Sequence, residues 1–252
     1  MGRRNIDSME VVFVKYLILS ILIIIIIKVI VVIYKKVKKK RVLKENRKLL
    51  ESVTQLDRGT DSEKDLVLKL LKYKIHPKAI FHDLYIKKGD SNFSQIDLVV
   101  ATKVGILVIE VKDYSGWIFG TGYKSKWTQV LAYGKQKYRF YNPILQNNKH
   151  INELKKQLRE NVPFYSLVVF YGNCKLKDIS FVPKGTFVLK SERILEVMNI
   201  IIKENEPVEY TNKKRVVKVL SESVKNGESE IIQKQHVEKI KDMLGEDRVF
   251  DK

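Results

Sequence analysis

The stretch that decides the fold is SQIDLVVATKVGILVIEVKDYSGWIFG, residues 94–120. Two apolar, β-branched runs flank a short Thr-Lys-Val-Gly break ending at Gly105, the pattern of two buried strands joined by a tight turn. Three charges interrupt that pattern: Asp97 in the first run, Glu110 and Lys112 in the second. Burying a charge costs several kcal/mol unless it is paired or binds a metal. Side chains alternate along a strand, so Gln95 and Asp97 are expected on one face of the first strand, Glu110 and Lys112 on one face of the second. If the strands pair as a hairpin, both sets can meet near one end of the sheet. Two carboxylates brought together repel unless a cation intervenes, and hard oxygen ligands suit Mg²⁺ or Mn²⁺. A lysine beside that cation fits a substrate that brings negative charge. The trio thus describes a place where a metal and an ammonium meet a phosphate, with a metal-activated water as nucleophile. The competing reading is a solvated edge, with Glu110 paired to Lys112 and Asp97 at a strand end.

The surrounding sequence supplies helices and further strands. Before the hairpin, Thr60 followed by Glu63 matches a capping box, and Leu66, Val67, Leu70 and Leu71 form a helical apolar stripe. Pro77 ends that pattern, and AIFHDLYI at 79–86 alternates like a strand. Beyond the hairpin, GWIFG and YKSKWTQV are short strand candidates, with Trp117 and Trp127 expected in packing rather than on a ligand. NPILQNNKHINELKKQL is a helix with Asn142 as cap and Pro143 in its first turn. Gln146 and His150 lie one turn apart at the margin of its stripe, His150 expected as a packing or surface residue. YSLVVFYG, DISFVP and GTFVLK are strand candidates, and helices close the chain, the last over 228–244 with Gly245 as its stop. This order predicts an α/β domain with a mixed sheet.

Charge and hydropathy speak to partners. The 252-residue chain carries a formal net charge of +19, which calls for an anionic partner, nucleic acid or acidic lipid. Its one cysteine, Cys174, excludes an internal disulfide framework, and with four scattered His it excludes a zinc cluster. Residues 11–34 read VVFVKYLILSILIIIIIKVIVVIY, long enough at about 1.5 Å per residue to span the roughly 30 Å core of a bilayer. Nine basic residues between Lys35 and Lys48, with Glu45 among them, supply +8 of the charge and leave +11 elsewhere. By the positive-inside rule the expected topology is a single-pass cell-membrane protein, N-terminus outside and the bulk cytoplasmic, with anionic lipid at the basic run. The expected divisions are a short segment 1–10, a transmembrane helix 11–34, a basic helical stalk 35–58, a domain 59–172, and C-terminal strands and helices 173–252 packing on it.

The run FSQIDLVVATKVGILVIEVKDYSGWIFG, a following Trp, and NPILQNNKHINEL together resemble the nuclease-related domain (NERD) family of the restriction-endonuclease-like PD-(D/E)XK superfamily. The resemblance covers roughly residues 59–172. Its elements come in order: an early helix with Glu63, the QID strand, the IEVK strand, Tyr-x-Gly at 114–116, and Asn-Pro-x-x-Gln at 142–146. One departure is Ser62, where the family has Gly before its Glu. The resemblance implies a restriction-endonuclease-like mixed sheet of four to five strands flanked by helices. It also implies Asp97 and Glu110 as metal ligands, Lys112 orienting the attacking water, and Glu63, Gln95 and Gln146 completing the site. The expected function is a membrane-anchored, Mg²⁺- or Mn²⁺-dependent nuclease hydrolysing DNA phosphodiester bonds. The alternative is a non-catalytic, membrane-tethered nucleic-acid-binding or scaffold module that retains the fold; a weaker third option is a basic protein organising anionic lipid.

Overall fold

A computed structural model describes residues 3–89 and 92–235, with the side chains of 3–14, 17, 18 and 132 outside the description. The chain divides into two units, residues 1–48 and residues 49–252. The first is the body of one helix, α1 (Arg3–Glu51). From Ile21 to Tyr34 its large apolar side chains are exposed, and the basic run that follows is exposed as well. The membrane expectation is corrected here: among the described residues no helix is long and apolar enough to cross a membrane. Part of the 11–34 run lies outside the described side chains. From Leu19 onward, every 18-residue window of α1 takes in at least three charged residues, the first of them Lys28, Lys35 and Lys36. A charge at the bilayer centre costs about 2.5–3.5 kcal/mol on insertion scales, so each one within a window counts against a span. The single-pass topology, the cell-membrane localisation and the lipid partner fall with the span.

The second unit is a mixed α/β structure with two sheets. The larger has five strands in the order β1 (Ile80–Lys88), β2 (Asn92–Thr102), β3 (Gly105–Asp113), β7 (Phe164–Tyr171), β9 (Thr186–Lys190). The first three are antiparallel, while β3, β7 and β9 run parallel. Helices α2 (Asp61–Lys72) and α4 (Ile194–Glu204) cover one face, where Leu66, Leu70, Val197 and Ile201 pack against Leu98, Leu107 and Ile109. Helices α3 (Pro143–Leu158) and α5 (Lys213–Asn226) cover the other, where Leu154, Leu158 and Leu220 meet Ile96, Ile106 and Val108. With both faces covered, β3 is buried from Gly105 to Val111, which is why its sequence is a continuous apolar run. β1 is buried likewise and does not alternate with solvent as its sequence pattern suggested. The turn into β3 requires glycine: Gly105 has φ +135°, and a Cβ there would run into the carbonyl oxygen of Pro163.

The second sheet has four strands in the order β6 (Gln136–Tyr141), β5 (Lys126–Leu131), β4 (Gly116–Thr121), β8 (Cys174–Ser180). Ile118, Trp127 and Phe140 form its inner layer and pack on Ile144, Val168 and Phe170 of the main body. Trp127 is fully buried and stacks on Phe170 with ring centroids 6.1 Å apart. A helix begins over 230–235, and the remainder of the expected terminal helix lies outside the described residues.

Candidate active site

Strand β3 presents Glu110 and Lys112 where it emerges from the core. Glu110 is 1% exposed, and Lys112 Nζ lies 2.5 Å from its Oε1. The same ammonium donates to Gln146 Oε1 at 3.2 Å. Gln146 is held by the start of α3. Asn142 accepts from the N–H groups of Ile144 and Leu145, and its amide donates to the carbonyls of Thr121, Gly122 and Lys124. One turn on, the Asn147 amide donates to Val108 O at 2.8 Å and pins α3 across β3.

Asp97 enters from β2 by a route that strand alternation does not give. Ile96 packs on the α3 face and Leu98 on the α2 face, so two residues that should share a face point oppositely. The slip is shared with β1, where Asp83 has φ +53° and the Asp83–Asp97 rung is missing between Leu84↔Ile96 and His82↔Leu98. The β2–β3 ladder also stops, at Leu98↔Ile109, and Asp97 Oδ2 accepts the N–H of Val111 at 2.7 Å. The regular alternation expected through Gln95 and Asp97 is interrupted at this kink. Gln95 donates to Asp83 Oδ1 at 2.8 Å.

Glu63 sits at the start of α2, 6% exposed. Its backbone N–H is capped by Thr60 Oγ1, whose hydroxyl donates to Glu63 Oε1 at 2.8 Å. Its Oε2 lies 3.2 Å from His82 Nε2, and His82 Nδ1 lies 2.7 Å from Thr54 Oγ1. The neighbouring Asp83 pairs with Arg58 at 2.9 Å, with both side chains 5% exposed. Ser62 donates to Asp113. Sequence reading missed His82, Asp83 and Arg58; the signal was two adjacent polar residues inside an otherwise apolar strand. His150, expected as a packing or surface residue, is buried with Nδ1 3.0 Å from Ser94 Oγ and Nε2 3.5 Å from Glu110 Oε2. Both Glu110 Oε2 and His150 Nε2 are buried without a hydrogen-bond partner.

The electrostatics separate the two carboxylates. Burial pushes Asp97 well above the ordinary carboxylate range, the charges of Glu110 and Glu63 push it further, and Lys112 and the Val111 N–H oppose the rise only in part. Glu110 is also raised by burial, but Lys112 and His150 outweigh that and hold it below its usual value. Burial would lower Lys112, yet Glu110 and Asp97 keep it above its usual value and therefore charged. The same small space thus raises one carboxyl and lowers the other, and a further positive charge would favour the ionised form of both.

Residues 58–171 match the family of nuclease-related domains. The match with the nuclease-related domain (NERD) family covers 114 of the 252 residues. That family is in the restriction-endonuclease-like superfamily, and the match suggests a nuclease-related function. The chain is also similar to an uncharacterized protein of Bacillus anthracis, 35% identical over 136 residues, covering 52% of this chain and 61% of that protein. The chain therefore spans about three fifths of that relative's length. No solved structure matches.

Proposed function

We propose that the NERD domain is a metal-dependent nuclease that hydrolyses DNA phosphodiester bonds at Asp97, Glu110 and Lys112. One observation carries the reading: the buried Glu110 has an Oε2 that makes no hydrogen bond, with His150 Nε2 3.5 Å away, in the same space where Asp97 is raised well above the ordinary carboxylate range, an arrangement that an added cation relieves. Among the described residues no group of three or more His, Cys, Asp or Glu could hold a metal ion. Two carboxylates fit Mg²⁺, which is commonly held by one or two carboxylates together with substrate phosphates and water. Asp97 and Glu110 would hold it, and when bound it supplies Lewis-acid polarisation and an acidified water. Lys112 remains protonated and directs its ammonium at charge developing on a phosphate, while Gln146 fixes where that ammonium points. Glu63 adds negative charge near Asp97 and is steadied by Thr60 and His82.

The test is incubation of the purified full chain with supercoiled plasmid and with single-stranded DNA, in Mg²⁺, in Mn²⁺ and in EDTA. Cleavage that needs the cation and disappears in Asp97→Asn supports the proposal. Tight DNA binding without cleavage in any cation would favour the non-catalytic nucleic-acid-binding module instead.

A further inference from the structure

The second sheet has an outer face that the carboxylate site does not use. On β4, Ile118 points into the core cluster, so Trp117 and Phe119 on either side of it point outward, and both are half-buried. Register builds two rows across that face. Lys175 of β8, Trp117, Val130 of β5 and Lys137 of β6 form the first. Asp178, Phe119, Thr128 and Arg139 form the second. Lys177 lies over the Trp117 ring at 5.2 Å. Two aromatic rings therefore sit mid-sheet, with Lys175 and Lys177 on one flank and Lys137 and Arg139 on the other. A cavity of about 360 Å³ opens beside them, lined by Trp117, Val130, Tyr133 and Lys175 among others. Tyr133 stands 97% exposed at its rim.

Charge is asymmetric in the same region. Between Asp113 and Glu153 the sequence holds no Asp or Glu but six Lys and Arg. Trp117 follows Lys112 by five residues, so the platform and the carboxylate site are at most about 18 Å of extended chain apart. Partly exposed rings suit flat, unpaired bases, and the flanking cations suit a backbone that carries one negative charge per nucleotide. Bases stacked within a duplex could not reach rings sunk between lysines.

We propose that the outer face of this sheet binds single-stranded nucleic acid, with bases stacking on Trp117, Phe119 and Tyr133 and phosphates meeting Lys137, Arg139, Lys175 and Lys177. The proposal rests on the nucleic-acid reading of the domain and names its substrate as one with an unpaired segment beside the cleavage site.

The experiment measures binding of the full chain, in EDTA so that nothing is cut, to three fluorescent probes. These are a 15-nucleotide thymidine strand, an abasic strand of equal length and charge, and a duplex. Stacking predicts that the abasic strand binds at least about tenfold more weakly than the thymidine strand. The thymidine strand should also quench Trp117 emission, while Trp127, buried in the core, stays unchanged. Trp117→Ala should weaken thymidine binding about fivefold or more and leave abasic binding alone. The double variant Lys137→Gln with Lys175→Gln should weaken both strands and flatten the salt dependence by about 1.4 in log–log slope. Equal affinity for abasic and thymidine strands in the unmodified protein would overturn the proposal, and needs no variant to fold. So would preference for the duplex, or displacement by polyglutamate as effective as by the thymidine strand. Stacking without any cleavage in the presence of metal would sink the nuclease reading and leave this one standing.

Discussion

Asp97 and Glu110 feel one small space in opposite directions, and metal-free stability should show it. A carboxyl raised above its unfolded value costs stability once pH exceeds that value, in full above the raised pKa, and nothing when both states are protonated. Asp97→Asn should therefore raise the metal-free melting temperature at pH 7 and leave it unchanged near pH 3, where the amide and the acid are equally neutral. Glu110 is lowered, so it contributes stability above its unfolded pKa that is lost as pH falls through the folded value. Glu110→Gln should lower the melting temperature at pH 7, and the deficit should close in acid. Calorimetry of the two variants across pH checks both signs at once. Lys112→Ala should cut cleavage about 10²–10³-fold, the typical loss for one group that stabilises developing charge. Stabilisation by added Mn²⁺ should persist in that variant, since an ammonium is no metal ligand, whereas it should shrink in Asp97→Asn.

Two fastenings between elements position these residues. Asn142 ties the β4–β5 turn to the start of α3 by capping two N–H groups and donating to three carbonyls. Losing the cap alone costs about 1 kcal/mol, so Asn142→Ala should lower the melting temperature by at least about 2–4 °C. Because Gln146 is one turn away, cleavage should fall with it. The second fastening is Arg58, which binds the carboxylate and carbonyl of Asp83 and the carbonyl of Val224 in α5. Removing one partner of a buried pair leaves an uncompensated charge and costs about 3–5 kcal/mol. Asp83→Ala is expected to destabilise the domain by that order in denaturant titration. The joint variant Arg58→Met with Asp83→Ala should be milder than Asp83→Ala alone, because no charge is left buried.

At the scale of the molecule the +19 charge sets how the chain meets a polyanion. A protein touching roughly four phosphates loses about a hundredfold in duplex affinity between about 50 and 200 mM salt. The full chain should show at least this slope with plasmid DNA. Salt-independent binding would turn attention to a protein partner. The basic side chains of residues 35–48 are exposed along α1. Their charge therefore counts toward the net attraction for an anionic partner.

The hairpin, the helix capped by Asn142, the mixed sheet and the placement of Asp97, Glu110 and Lys112 on its adjoining strands were legible in the sequence. Each rests on local rules: strand period, cap chemistry, and the cost of burying a charge. Local rules failed where two strands acted together. The slip at Asp83 and Asp97 needs a positive φ on one strand and a missing rung on its partner, and no pattern within either strand encodes it. The same holds for His82 and His150, whose neighbours are 19 to 56 residues away in sequence. Hydropathy along residues 11–34 suggested a membrane span, but among the described residues no helix is long and apolar enough to cross a membrane. Whether Trp117 or Trp127 is core was decided by the second sheet. A two-residue alternation gives opposite faces only once the pairing of β4 with β5 and β8 fixes which face is covered.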